Sequence, residues 1–130
     1  MTNIVLASGS ASRRALMRGA GVICESVNPN VDEDSAKASM RKEGVSIADQ
    51  AMALAEMKAL KISRQRPGLI IGGDQMLALE GEALDKPKDM VEARSHLRRL
   101  SGRPHTLETA IIVAENGQPV WRHLARPKLS

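Results

Sequence analysis

Short apolar runs that end in glycine, serine or asparagine alternate with segments of helical period along this chain of 130 residues. Runs such as "NIVLA" and "PGLIIGGD" have the length and composition of buried strands. The segment "SIADQAMALAEMKALKIS" places Ile47, Ala51 and Leu54 on one stripe, as in a helix packed against a core. The order is strand, helix, strand, helix, strand, hairpin, helix, hairpin. This order predicts an α/β fold with a mixed sheet.

Three local signals add detail to this order. Asp89 and Glu92 are spaced as in a capping box at the start of the last predicted helix. Asn116-Gly117 predicts the turn of the last hairpin. Residues 35–44 are either a polar helix or a mobile excursion, and the sequence leaves both open.

The composition favours one globular domain over residues 1–130, because 42% of the residues are apolar. The chain contains one tryptophan and no tyrosine or phenylalanine. The core must therefore be aliphatic, and the chain lacks the aromatic platform on which nucleic-acid bases stack. The net charge of +4 fits an anionic partner, but the basic residues are scattered rather than grouped into a run. We therefore expect no stable complex with nucleic acid.

Cys24 is the single cysteine, so no internal disulfide can form, and the histidines have no spacing typical of metal ligands. The first residues lack the pattern of a signal peptide, and no segment approaches the roughly 18 apolar residues of a membrane span. These features predict a cytoplasmic protein that does not bind membranes.

Ser8-Gly9-Ser10 follows the first predicted strand, and Arg13 and Arg14 come soon after it. The start of a helix presents backbone N–H groups and the positive end of a dipole, and guanidinium groups bind phosphate oxygens in pairs. These residues therefore suit a phosphate group, although the segment contains neither the Walker pattern G-x-x-x-x-G-K nor the dinucleotide-binding pattern G-x-G-x-x-G. The alternative is a capped helix whose arginines are solvated.

Two further residues depart from their local patterns. Lys58 lies on the apolar stripe of the longest predicted helix, where a cation must be paired, reach an opening, or extend past its own stem to solvent. Asp74 follows an apolar strand and two glycines, which leave room for a ligand beside the backbone. A carboxylate at a strand end can bind a metal or accept a proton. The alternative is an aspartate that stabilises a turn.

Weaker signals come from Glu33 in the acidic segment "VDED" and from Lys86 in the rigid loop "DKPK". Taken alone, "VDED" is better explained as a solvated acidic loop, and the alternative for Lys86 is an exposed lysine before a helix. Together with the preceding residues they provide cations for phosphates and carboxylates for a divalent metal. Such a set suits metal-assisted chemistry on a polyphosphate.

Several ordered segments of the chain resemble the Maf family: "LASGSASRRALM", "VDED", "ALAEMKA", "IIGGDQMLALEGEALDKPKD" and "LRRLSGRPHTLETAIIV". The resemblance implies a nucleoside triphosphate pyrophosphatase that uses a divalent cation, Mg or Mn, and cleaves its substrate to the monophosphate and pyrophosphate. It also implies an elongated mixed sheet flanked by helices, as in inosine triphosphatases, with a cleft between two lobes. Removal of non-standard nucleotides, arrest of septum formation and a homodimer are further implications.

The same resemblance assigns roles to individual residues. Asp74 corresponds to the catalytic aspartate and, with Glu33, to the metal-binding residues. The positions that bind the substrate correspond to Ser8, Ser10, Arg13, Arg14, Lys58 and Lys86.

Ser12 and Gln75 occupy the positions that separate branches of the family by nucleotide preference. The branch that prefers dTTP and UTP usually has Arg and Thr there, and the branch that prefers 7-methyl-GTP has Trp and Gln. Gln75 matches the second branch and Ser12 matches neither, which favours 7-methyl-GTP or another modified purine. Asp85 stands where glycine is usual, and it places a negative charge beside Lys86.

By this resemblance, we expect the chain to correspond to about the first two thirds of a family member and to lack the later segment that closes the nucleotide pocket. A non-catalytic remnant of the fold is therefore an alternative function. A basic nucleic-acid-binding module is a second alternative, suggested by the sequence pI of about 9.6.

Overall fold

A computed structural model describes residues 4–8, 21, 25–79, 82–84, 89–126 and 128–129. Within these ranges the helices are α1 (Glu33–Lys42), α2 (Ile47–Ser63) and α3 (Met90–Leu100). The strands are β1 (Ile4–Ala7), β2 (Glu25–Val27), β3 (Leu69–Leu79), β4 (Glu82–Leu84), β5 (His105–Glu115), β6 (Gln118–Ala125) and β7 (Lys128–Leu129). The predicted α/β class is confirmed. The helix predicted directly after Ser10 and the "DKPK" loop lie outside the described residues.

The strands form one mixed sheet in the order β2-β1-β3-β5-β6. β1 runs parallel to β2 and β3, whereas β3, β5 and β6 are successively antiparallel. Two short strands lie off this path: β4 pairs with β3, and β7 pairs with β5. β1 pairs with Leu69–Ile71 of β3, and β4 pairs with Leu77–Leu79. Because β4 is antiparallel to β3, the middle of β3 lies between the end of β1 and the end of β4, at Leu84.

The core lies between α2 and one face of β3 and β5. The buried helix residues include Leu54 and Ile62, and the strands contribute Ile70, Met76 and Ile112. These side chains are aliphatic, as the composition requires. Because side chains alternate across a strand, the buried residues of β3 are mainly the even-numbered ones, which face α2.

Side chains cap all three described helices. The carboxylate of Asp32 accepts a hydrogen bond from the Ser35 N–H at 3.1 Å, and Ser46 Oγ accepts one from the Asp49 N–H at 3.2 Å. The predicted cap of α3 is confirmed, since Asp89 accepts a hydrogen bond from the Glu92 N–H at 2.9 Å. Such caps satisfy N–H groups that have no partner within the helix. The segment after Asp32, which the sequence left undecided, is therefore helical.

The turn predicted at Asn116-Gly117 joins β5 to β6. Both residues have positive φ, 54° and 77°, as a two-residue hairpin turn requires. The Gly117 N–H donates to Ser63 Oγ at 2.8 Å, which links this turn to the end of α2. Among the described residues, no helix is both long enough and apolar enough to cross a membrane.

Candidate functional site

Lys58 brings together residues from α1, α2 and β3. Its Nζ donates hydrogen bonds to Asp74 Oδ1 at 3.0 Å and to the Gly73 carbonyl at 3.2 Å. The same Nζ lies 2.5 Å from Glu33 Oε1. Lys58 is only 7% exposed, so it does not extend past its stem to solvent. The cation instead reaches a polar site at the middle of β3.

The local sequence explains how these residues meet. Lys58 lies on the face of α2 that packs on the sheet, and Asp74 is an even-numbered residue of β3, so both side chains point into the same layer. The Asp32 cap starts α1 at Glu33, which places that carboxylate in the first helical turn. Asp32 is therefore a capping residue, whereas Glu33 faces Lys58.

Asp74 has an unusual electrostatic environment. It is 8% exposed, and its Oδ2 is buried without a hydrogen-bond partner among the described residues. Burial raises the pKa of Asp74 above 3.8, the attraction of Lys58 opposes this shift, and the nearby charge of Glu33 adds to it. The raised pKa makes this carboxylate a better proton acceptor than an exposed aspartate.

The unsatisfied Oδ2 of Asp74 is an oxygen atom that could bind a divalent cation. Carboxylate oxygens are the ligands that Mg²⁺ and Mn²⁺ prefer, and Mg²⁺ is usually held by one or two carboxylates with water and substrate phosphates. Asp74 and Glu33 supply such a pair. No group of three or more potential metal ligands occurs within the part of the chain that the structure describes. The residues therefore fit a cation held jointly with a phosphate.

The remaining sequence-predicted residues divide into three groups. Ser8 follows β1 directly and is buried, and its carbonyl accepts a hydrogen bond from Ser26 Oγ at 2.8 Å. Gln75 is exposed on the opposite face of β3 from Asp74, and its Nε2 lies 3.5 Å from Thr109 Oγ1. The others lie outside the described residues: Ser10, Ser12, Arg13, Arg14 and Lys86.

The position of Gln75 has a consequence for any ligand that contacts both Gln75 and Asp74. These neighbours point to opposite faces of the sheet. A ligand can reach both only at the middle of β3, in the interval between the end of β1 and the end of β4. This is also the end of β1 that Ser8 follows.

The two glycines before Asp74 differ from the sequence-based interpretation. At Gly72 a Cβ atom would lie 2.8 Å from Ala59 Cβ and 3.0 Å from Ala59 N. Gly72 therefore leaves room for α2, not for a ligand. A Cβ at Gly73 would meet only the Ala110 carbonyl, at 3.5 Å.

Glu108 is a buried charged residue that was not predicted from the sequence; it is 2% exposed on β5. Both of its carboxylate oxygens accept hydrogen bonds from Arg126 Nε, at 3.1 and 2.8 Å. Glu108 faces the same side of the sheet as Ala110 and Ile112. A charged residue in the apolar register of a strand was the signal that could have revealed it.

The fold and this site define a mixed α/β protein with a buried lysine–carboxylate cluster at the middle of a central strand. The chain belongs to the Maf family of Maf-like proteins, whose family model matches residues 3–129.

Relatives with similar sequences support this assignment. A protein named nucleoside triphosphate pyrophosphatase from Hyphomonas neptunium is 59% identical over 98% of this chain and 64% of its own length. A protein of the same name from Caulobacter vibrioides is 48% identical over 100% of the chain and 65% of its own length. A 7-methyl-GTP pyrophosphatase from Mesorhizobium japonicum is 46% identical over 93% of the chain and 61% of its own length. The chain thus spans less than two thirds of these relatives.

Among solved structures, a HAM1 protein from Coxiella burnetii has the same fold, with a TM-score of 0.62 at 18% identity. The match covers 98% of this chain and 71% of that protein. At this identity the likeness concerns the fold alone.

Proposed function

We propose that the protein is a nucleoside triphosphate pyrophosphatase, which adds water across the bond between the α- and β-phosphates. The products are a nucleoside monophosphate and pyrophosphate. The observation that carries the proposal is the buried Lys58 between Glu33 and Asp74, with Asp74 Oδ2 left to interact with a ligand. Membership of the Maf family and the names of the relatives support it.

In the proposed reaction Asp74 accepts a proton from the attacking water. Its raised pKa increases its basicity, and Lys58 fixes the orientation of the carboxylate through Oδ1. That arrangement leaves Oδ2 as the oxygen that meets the water or a cation. The positive charge of Lys58 also stabilises negative charge that develops on nearby phosphate oxygens.

A divalent cation, Mg²⁺ or Mn²⁺, is part of this proposal. Asp74 and Glu33 would hold it, and it would neutralise charge on the phosphates. Ser8, Ser10, Arg13, Arg14 and Lys86 are proposed to bind the triphosphate, as the resemblance implies.

The proposed substrate is a triphosphate with a modified purine, such as 7-methyl-GTP. Gln75 supports this choice, as does the 7-methyl-GTP pyrophosphatase among the relatives. Because Gln75 lies on the opposite face from Asp74, we propose that it contacts the base while Asp74 contacts the phosphate region. We further propose a cytoplasmic homodimer; the single cysteine is compatible with a reducing compartment.

The test is an assay of pyrophosphate release from a panel of nucleoside triphosphates, with Mg²⁺ or Mn²⁺ and with a chelator. Asp74→Asn should lower the rate about 10²–10⁴-fold, the usual contribution of a positioned acid or base. Asp49→Asn is the matched control, because Asp49 is exposed in the first turn of α2.

Wild-type rates in Asp74→Asn would remove Asp74 from the mechanism. Nucleotide binding without pyrophosphate release from any triphosphate would instead favour the non-catalytic alternative.

A further inference from the structure

Gly72 and α2 are in unusually close contact. An added Cβ at Gly72 would approach the Ala55 carbonyl oxygen most closely, and then the Cβ and N atoms of Ala59. Two of these three atoms belong to the helix backbone, so rotation of a side chain cannot relieve the overlap. A glycine at this position is therefore what lets β3 and α2 pack at their observed separation.

This contact lies directly beside the cluster formed by Lys58. Lys58 immediately precedes Ala59 on α2, and the oxygens that it binds on β3 belong to Gly73 and Asp74, the residues that follow Gly72. A change in the separation of strand and helix would move Lys58 Nζ away from both oxygens at once. The third partner, Glu33, belongs to α1 and not to β3.

We infer that Gly72 is a positioning residue, which holds α2 close enough to β3 for Lys58 to reach Asp74 and the Gly73 carbonyl. Gly72 does not touch the ligand, and it acts through Lys58. This role deepens the proposed function, and the kinetic test of it rests on that function. The position of Lys58 can be measured by chemical labelling, which requires no enzymatic activity.

The experiment compares Gly72→Ala with Gly73→Ala. Both substitutions add one methyl group to adjacent residues of β3, neither glycine has a positive φ, and only the first methyl group overlaps α2. The folded proteins are treated briefly with acetic anhydride, and mass spectrometry gives the acetylation rate of Lys58 relative to that of Lys61. Lys61 is on the same helix and donates to the Asn30 carbonyl, so it reports on general changes in α2.

We expect the relative rate at Lys58 to rise severalfold in Gly72→Ala and to stay within about twofold of wild type in Gly73→Ala. In the pyrophosphate assay Gly72→Ala should lower kcat more than it changes KM, because Asp74 loses the group that orients it. A folded Gly72→Ala protein with wild-type labelling of Lys58 would overturn the inference. If wild type releases no pyrophosphate, the proposed function fails while the labelling result stands.

A second variant changes the α2 side of the contact between Gly72 and Ala59. Ala59→Ser adds one atom opposite Gly72 and should raise the labelling of Lys58 to a smaller extent. Unfolding of both variants would also contradict the inference, because the contact would then support the fold as a whole and not the position of one lysine.

Discussion

Lys58 is held by three oxygen atoms, and its partner Asp74 is buried with it. Removing one member of a buried ion pair leaves the other charge without compensation, which costs more than the pair itself contributes. The apolar stripe of α2 alone would suggest that a hydrophobic residue suits position 58. The contacts of Asp74 lead to the opposite expectation.

We expect Lys58→Met to lower the free energy of unfolding at neutral pH by about 3–5 kcal/mol. Urea denaturation followed by circular dichroism measures this loss. Lys61→Met is the matched control: it removes one exposed hydrogen bond from the same helix and should cost less than about 1 kcal/mol. Equal losses in the two variants would show that Lys58 contributes only as a helix residue.

The raised pKa of Asp74 predicts how stability depends on pH. In the folded protein the pKa lies above 3.8, so the folded state retains a proton that the unfolded state has released. The stability linked to Asp74 is therefore complete below pH 3.8 and is lost as the pH rises through the folded pKa. Relative to Asp74→Asn, wild type should become less stable across that window, by about 1.4 kcal/mol for each unit of pKa shift.

Urea denaturation of both proteins over a pH series tests this expectation. If wild type instead becomes more stable relative to Asp74→Asn as the pH rises, the attraction of Lys58 has a larger effect on the pKa of Asp74 than burial has.

At the residue scale, charged residues that interrupt an apolar pattern were the most informative part of the sequence. Lys58 and Asp74 could be selected in this way, and the structure places them in contact. The partner of Gly72 could not be predicted, because a glycine does not indicate whether a ligand or a helix occupies the space beside it. Glu33 could be noticed, but its contact with Lys58 depends on how α1 packs against α2.

At the level of strands and helices, Arg126, which directly follows β6, binds the buried carboxylate of Glu108 on β5. Arg126→Met should destabilise the fold by about 1–3 kcal/mol, since the buried Glu108 would lose its charged donor and keep only the hydrogen bond from Thr106 Oγ1. Arg122→Met is the matched control on β6, because its partner Glu56 is partly exposed. Such a surface pair contributes about 0–1 kcal/mol.

Thermal unfolding is measured for the two arginine variants and for the double variant Glu108→Gln/Arg126→Met. The comparison separates the cost of leaving Glu108 charged without its donor from the contribution of the ion pair itself. The double variant should recover part of the loss, because no buried charge is left. A double variant as unstable as Arg126→Met would contradict this account.

Elements with strong local signals were predicted well from the sequence. The turn at Asn116-Gly117 and the cap at Asp89 are determined by residues close in the chain. α1 was left undecided because it has no buried residue, so no apolar stripe marks it. Its position depends on contacts with α2, which a local pattern does not contain.

At the scale of the whole molecule, the described elements differ greatly in how they are packed. β3 is paired with β1, β4 and β5 and is covered by α2 on one face. Neither α1 nor α3 has a buried residue, but Ala36 and Met40 of α1 pack against the core, whereas α3 adds none of the described core residues. In hydrogen exchange followed by mass spectrometry, we expect the slowest exchange in β3 and β5 and the fastest helical exchange in α3. Local opening has a low free energy where few apolar contacts are lost.

Comparable protection of α3 and α2 would contradict this expectation and indicate that α3 is covered in solution. Its exposed residues Met90, Val91 and Leu97 would then be the first to examine.

Trp121 is the source of the intrinsic fluorescence of this protein. It is the single tryptophan of a chain without tyrosine or phenylalanine, it is 53% exposed on β6, and its ring stacks on His123 with centroids 5.7 Å apart. Intrinsic fluorescence therefore reports on the outer strand and not on the cluster around Lys58. Because the indole is already half in water, its emission wavelength is a poor measure of unfolding, and its intensity instead follows the contact between the two rings.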